Sequence, residues 1–186
     1  RKRYKKKIKK DTICETILNT PEKKIFQGFN KKESDELRIS YIGSVRQFNE
    51  LKLLMDSGKN IDGLKIQIHG SGAVFEKLIG IIENYNNVLI TGQFNYKDTK
   101  YLYEDTDLLY VIYDKKIENQ KYGIPIKGYE AIYTQTPIIA QDGSEFADFV
   151  KKHDIGFVIK GDEIDELRNL IFTVKTNRNL LKMKAD

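Results

Sequence analysis

From residue 38 onward, short runs of β-branched and aliphatic residues alternate with longer stretches in which apolar positions recur every three or four residues. The runs are RISYIG (38–43), LKIQIHG (64–70), NVLITG (87–92), LLYVIY (108–113), PIIAQ (137–141) and GFVIK (156–160), each of strand length and most bounded by glycine. The stretches between them predict helices near 47–58, 74–84, 98–105, 125–135, 145–153 and 163–181. Strand and helix in strict alternation predict βαβ units with right-handed crossovers. The expected fold is α/β, a Rossmann-like doubly wound parallel sheet of six strands in the order 3-2-1-4-5-6.

Residues 1–37 do not join this pattern. DTICETILNTP (11–21) reads as one strand stopped by a proline, and KIFQGFNKKESDE (24–36) as a polar connection. A strand without a partner, in a chain that opens on Arg1, points to a fragment of something longer. The expected organisation is a basic segment and linker over 1–37, left from a preceding domain, and a nucleotide-binding-type domain over 38–186.

Composition narrows the class. With 40% hydrophobic and 32% charged residues in a chain of 186, there is enough of both to fill a core and coat a surface. The apolar runs are far short of the ~20 residues of a spanning helix. Cys14 is the only cysteine and there are two histidines, which excludes a disulfide framework and the usual structural zinc patterns and fits a reducing cytosol. The net charge of +5 is uneven: residues 1–10 carry eight basic groups and no acid, leaving 24 basic against 27 acidic residues in the other 176. Such a run attracts polyanions, and the anionic face of a bilayer is a candidate partner; the alternative is a solvated leader.

Several motifs are weighed and set aside. GSGAVF (70–75) opens like a dinucleotide fingerprint, but Phe75 stands at the third glycine and the motif follows the second strand, so it reads as a tight turn. No GxxxxGK[ST] loop is present. Asp105 and Asp107 form an Asp-x-Asp that could hold a metal on a diphosphate, yet they precede their strand, at the end of the sheet where ligands do not bind. His69 reads as a core histidine and His153 as a helix-end residue. Cys14 reads as inert.

Ligands in such sheets bind beyond the carboxyl ends, where the strand order reverses between strands one and four. Strand one is followed by Gly43, Ser44, Val45 and Arg46; strand four by a long loop into a helix starting near Pro125, whose amides make an anion site. Lys127 and Glu130 share a face of that helix, with Gly128 between them keeping the surface low. A lysine beside phosphate and a carboxylate able to accept from a vicinal diol suit a diphosphate and a ribose. The alternative is a surface pair worth ~0.2 to 0.5 kcal/mol. Arg46 is a candidate phosphate contact.

From about 38 to 172 the chain resembles the C-terminal, donor-binding domain of GT-B glycosyltransferases of the family-4, group 1 type. The matching pieces, in order, are YIGS, IQIHGSG, NVLITGQF, DLLYV, IPIKGYEA, TPIIA and the GSE turn, with NTP (19–21) similar to the exit from the family's N-terminal domain. The resemblance implies that Glu130 holds the ribose hydroxyls, that the amides around Ile124, Ile126 and Lys127 cradle the diphosphate, and that Gly92, Gln93 and Phe94 meet the nucleobase. Arg46 would be the basic residue beside the diphosphate, displaced from the commoner position, where Ser44 stands. Tyr122 occupies the place of the family's first glutamate, so contacts to the donor sugar must come from elsewhere.

The implied function is donor binding in a retaining glycosyltransferase of polysaccharide or glycoconjugate synthesis, bacterial and cytoplasmic, with UDP or GDP as the nucleotide and no metal or other cofactor. The base and the acceptor site, for a sugar or lipid-linked glycan, would lie in the preceding domain; nucleic acid is not an expected partner. The alternatives are a non-catalytic nucleotide-binding module and a sugar-nucleotide epimerase domain.

Overall fold

All six residues of β1 (Leu37–Ile42) are buried, as expected of the central strand of a sheet covered on both faces. The computed structural model describes residues 19–112 and 121–185. Around β1, the strands β2 (Leu64–His69), β3 (Val88–Gly92), β4 (Leu108–Val111), β5 (Ile138–Gln141) and β6 (Gly156–Ile159) form one parallel sheet in the order β3-β2-β1-β4-β5-β6. This is the expected fold and order. The helices are α1 (Phe48–Gly58), α2 (Phe75–Ile79), α3 (Thr99–Glu104), α4 (Ile126–Tyr133), α5 (Glu145–His153), α6 (Ile164–Thr176) and α7 (Asn179–Ala185).

The two-residue period of the strands divides the core in two. Leu37, Ile39, Tyr41, Leu108, Tyr110 and Ile139 point to one face and pack with residues of α1 and α6, including Leu51, Leu54, Leu167 and Ile171. Ile42, Leu109, Val111, Ile138 and Ala140 point to the other and meet Tyr103 of α3, Ala131 of α4 and Phe146 and Val150 of α5. At the outer edge, β3 alternates between half-buried and exposed positions.

Two expected helices are divided. The stretch 74–84 is α2 plus a 3-10 turn (Ile82–Asn84), with Gly80 closing α2. The stretch 163–181 breaks between α6 and α7, where Thr173 and Thr176 donate back to Asn169 O and Phe172 O. Arg178, in the break, reaches Asp107 Oδ2 (3.4 Å) and Asp35 O (3.1 Å).

The stretch read as a polar connection does more than connect. Lys23–Phe26 is a 3-10 turn that buries Phe26 in the second core, its ring 5.9 Å from that of Tyr103 and 5.4 Å from that of Tyr133. The basic run 1–10, Cys14 and most of the strand expected over 11–21 lie outside the described residues.

Candidate functional site

The end of the central strand and the start of α4 meet through Gly43 and Lys127. A Cβ on Gly43 would lie 3.1 Å from Lys127 Nζ. Lys127 is 8% exposed and its ammonium sits 4.2 Å from the centroid of the Tyr41 ring. Burial draws its pKa down to about 8, opposed by the charge of Glu130. Pro125 caps α4 with no side-chain hydrogen bond, and Gly128 N is bonded to Pro125 O at 2.9 Å.

Glu130 is 3% exposed. Its Oε2 accepts from the Tyr103 hydroxyl at 3.1 Å, and the same hydroxyl lies 3.1 Å from Lys127 O. Its Oε1 is buried with no hydrogen-bond partner among the described residues. Burial raises the Glu130 pKa, and the nearby Tyr96 and Tyr103 hydroxyls and Lys127 pull it back. A surface pair is therefore excluded for Lys127 and Glu130: both are inside, and an unsatisfied buried oxygen costs roughly 1–3 kcal/mol unless something donates to it.

Gly128 does not serve the purpose expected of it. A Cβ there would come 2.6 Å from a ring carbon of Phe146, so the glycine lets α4 pack on α5 rather than opening the surface to a ligand.

Gly92 stands apart from this cluster. Its carbonyl accepts from Gly70 N at 2.8 Å, which ties it to the end of β2, and Gln93 is exposed. The loop then returns toward α4: Phe94 packs against the second core, Asn95 Oδ1 accepts from Lys97 N, and the Tyr96 hydroxyl neighbours the Glu130 carboxylate without satisfying Oε1. Burial first, and Glu130 next, push the Tyr96 hydroxyl up to about 12. Ile124 packs on the same core and Ile126 is half-buried. Arg46 and Ser44 are exposed at the rim beyond β1, with Arg46 Nε donating to Ser44 Oγ at 2.9 Å. Tyr122 is 42% exposed. Thus Gly43, Lys127 and Glu130 come together directly, Phe94 and Ile124 pack on the second core, Ser44 and Arg46 stand exposed beyond β1, and Gly92 and Gln93 lie apart at the end of β3.

The residues set aside have structural duties. His69 is held between Thr91 Oγ1 (2.9 Å) and Gln67 Oε1 (3.2 Å), and burial brings its pKa down to about 4. Asp105 and Asp107 grip the buried Arg38 at the amino end of the sheet: Nη1 to Asp105 at 2.7 Å, Nη2 and Nε to Asp107 at 2.8 and 3.0 Å. The GSG turn is a close approach of backbones, since a Cβ on Gly70 would fall 1.8 Å from Gly43 O. His153 ends α5, its ring 4.5 Å from that of Phe149. Sequence reasoning missed Tyr41, Tyr96 and Tyr103, because a tyrosine on a strand or helix face carries no signal beyond apolar periodicity.

No helix among the described residues is long and apolar enough to cross a membrane. No curated protein matches the sequence. Among solved structures the chain is similar to TarM (TM-score 0.66, 21% identity, 84% of this chain and 32% of that one). It is similar to the C-terminal domain of the group 1 glycosyl transferase LpcC from Francisella tularensis (TM-score 0.67, 11% identity, 87% of this chain and 92% of that one). A third is Anabaena Alr3699/HepE in complex with UDP and glucose (TM-score 0.67, 16% identity, 82% and 42%). The chain thus spans about a third of TarM and most of the isolated LpcC domain. A family model, glycosyl transferases group 1, matches residues 22–185. With that match over nearly its whole length and a sheet that is the Rossmann-like C-terminal half of a GT-B fold, the chain belongs to the group 1 glycosyl transferases.

Proposed function

We propose that this domain binds the nucleoside-diphosphate sugar donor of a retaining glycosyltransferase, in the crevice beyond the carboxyl ends of β1 and β4. The observation that carries the reading is the buried Oε1 of Glu130, one turn into α4 and unpartnered among the described residues, beside the buried Lys127. A carboxylate oxygen that is short of donors suits a ribose diol. The uncapped start of α4 suits the diphosphate, since its amides and dipole favour an anion. A diphosphate against Lys127 would restore the proton affinity that burial removes, a gain present only in the complex.

In the transfer, the bond between the donor sugar's anomeric carbon and the diphosphate oxygen breaks. The acceptor hydroxyl bonds to that carbon on the same face and gives its proton to the base of the preceding domain. The α4 amides, Lys127 and Arg46 stabilise the charge that collects on the leaving diphosphate, a task that needs no metal. The acceptor, a sugar or lipid-linked glycan, belongs on the preceding domain, and this chain by itself is inactive. The nucleotide is UDP or GDP, with Gly92, Gln93 and Phe94 at the base. The setting is the bacterial cytoplasm, in polysaccharide or glycoconjugate synthesis, with residues 1–10 drawing the enzyme to the anionic inner face of the membrane.

Titration of the chain with UDP and GDP under amide shift mapping tests the reading. Shifts should fall on Gly43, Arg46, Lys127, Glu130 and the loop from Gly92, and chelator should leave the curve unchanged. No shift at millimolar nucleotide, or a strict need for magnesium or manganese, would overturn it.

A further inference from the structure

Glu130 is aimed by a residue on a different helix. We propose that Tyr103 of α3 is a positioning residue for the donor ribose, holding Oε2 of Glu130 so that Oε1 alone is presented to the diol. The proposal rests on the donor-binding reading above and adds to it a residue that does not itself touch the nucleotide.

Tyr103 is completely buried. Its hydroxyl meets two acceptors of α4 at the same 3.1 Å: Lys127 O in the first turn and Glu130 Oε2. One phenol proton shared between these two ties the carboxylate to the backbone that faces the diphosphate. The spacing of ribose and diphosphate is fixed covalently in the ligand. A contact that fixes the matching spacing in the protein removes freedom the complex would otherwise have to remove itself.

Tyr103 is in turn held from behind. The edge of its ring contacts Phe26, and its carbonyl accepts from Lys31 Nζ at 3.3 Å. Lys31 also donates to Thr106 O and to Thr136 Oγ1. The ring is therefore clamped between α4 and the segment that precedes the sheet. The titratable groups facing Glu130 are Tyr103 from α3, Tyr96 from the turn before α3, and Lys127 from α4 itself. The Tyr96 and Tyr103 hydroxyls both favour the charged carboxylate, and the Tyr103 hydroxyl donates to Oε2 at 3.1 Å.

The test compares the native chain with Tyr103→Phe, Glu130→Ala and the double variant. Each is titrated with UDP and GDP and with their 2′,3′-dideoxy analogues, and the Glu130 carboxyl is followed by carbon NMR against pH. Loss of the phenol donor should move the Glu130 midpoint to higher pH. It should weaken the ribonucleotide about five- to tenfold, the size of one hydrogen bond, and leave the dideoxy analogue unchanged. In the Glu130→Ala background Tyr103→Phe should cost nothing more, because both changes remove one shared interaction.

An unmoved Glu130 midpoint, or equal weakening of ribo and dideoxy ligands, would overturn the proposal. If Glu130→Ala weakens the ribonucleotide and Tyr103→Phe does not, positioning alone falls. If the Glu130 midpoint moves but Glu130→Ala leaves binding intact, the donor-site reading falls and the ribose role with it. Should Tyr103→Phe not fold, replacing Tyr103 by 3-fluorotyrosine keeps the shape with a stronger donor and should shift the Glu130 midpoint down; no shift overturns the proposal.

Discussion

Lys127 Nζ lies 3.1 Å from the place a Cβ on Gly43 would occupy, so the central strand and the first turn of α4 touch through a missing side chain and a buried cation. Gly43 also has φ +137, outside the range that L residues adopt comfortably. Gly43→Ala should therefore displace the ammonium and strain the turn, costing roughly 1–3 kcal/mol of stability. It should also weaken nucleoside diphosphate binding. Denaturant unfolding and a UDP or GDP titration check the two effects separately, and unchanged values in both would remove the contact from the site.

Lys127 sets a pH dependence. Below about pH 8 both folded and unfolded chains hold its proton, and the native state bears the whole cost of a buried cation. From about 8 up to the ordinary lysine value of 10.5 the native state releases the proton and the unfolded chain keeps it, so this group's penalty falls as pH rises. Lys127→Met should therefore stabilise the unliganded chain at neutral pH, on the order of 3 kcal/mol. The advantage should shrink above pH 8. Thermal melts of both proteins across pH 7 to 10 measure the difference; a constant gap would contradict it.

Glu130 titrates in the opposite sense. Its raised pKa means that the folded chain keeps a proton after the unfolded chain has lost it, so its contribution to stability declines as pH rises above 4.5. Glu130→Gln should melt no lower than the native chain near pH 4 and higher at pH 7. Glu130→Ala should lose ten- to hundredfold in affinity for the ribonucleotide, equal to ~1.5 to 3 kcal/mol of charge-assisted hydrogen bonding. Melting and titration together distinguish a binding carboxylate from one that merely supports the fold.

Arg38 is 4% exposed and neutralised by Asp105 and Asp107. Asp107→Ala leaves that guanidinium short of a partner and should cost about 3–5 kcal/mol. Nucleotide affinity of the folded fraction should not change, since the pair sits at the other end of the sheet from the crevice. A selective loss of nucleotide affinity with normal stability would restore a ligand role to the Asp-x-Asp.

Phe26 fills space between Tyr103 and Tyr133. Phe26→Ala should destabilise the chain by about 3–5 kcal/mol. Chemical denaturation measures it; a loss below about 1 kcal/mol, typical of a surface site, would mean the turn is only loosely docked.

The six strands were legible because a strand buried on both faces must be apolar at nearly every position, and glycine marks most of the ends. Lys127 and Glu130 were legible as candidates from their place on the helix that follows β4, and the structure brings them together in its interior. Helix breaks were not: Leu167, Leu170, Ile171, Val174 and Leu181 keep an apolar period running across the break, where Thr173 and Thr176 bond back to the helix and Arg178 turns to a distant aspartate. Phe26 was read as part of a polar connection because one aromatic among lysines carries no period.

Sequence by itself determined the fold class and the parallel sheet, since hydrophobic period and crossover handedness are local properties of the chain; the strand order is that of the commoner doubly wound arrangement. Only the tertiary structure decided how the carboxylate is held. Tyr103 and Glu130 are 27 positions apart, and their bond exists because α3 and α4 are packed on one face of the sheet. The same packing turned Gly128 toward Phe146, and it buried Lys127, which the sequence left open between a phosphate contact and a surface pair. A residue type fixes what a group can donate or accept; which partner it meets, and in what dielectric, depends on chains of contacts that close only when the whole sheet is assembled.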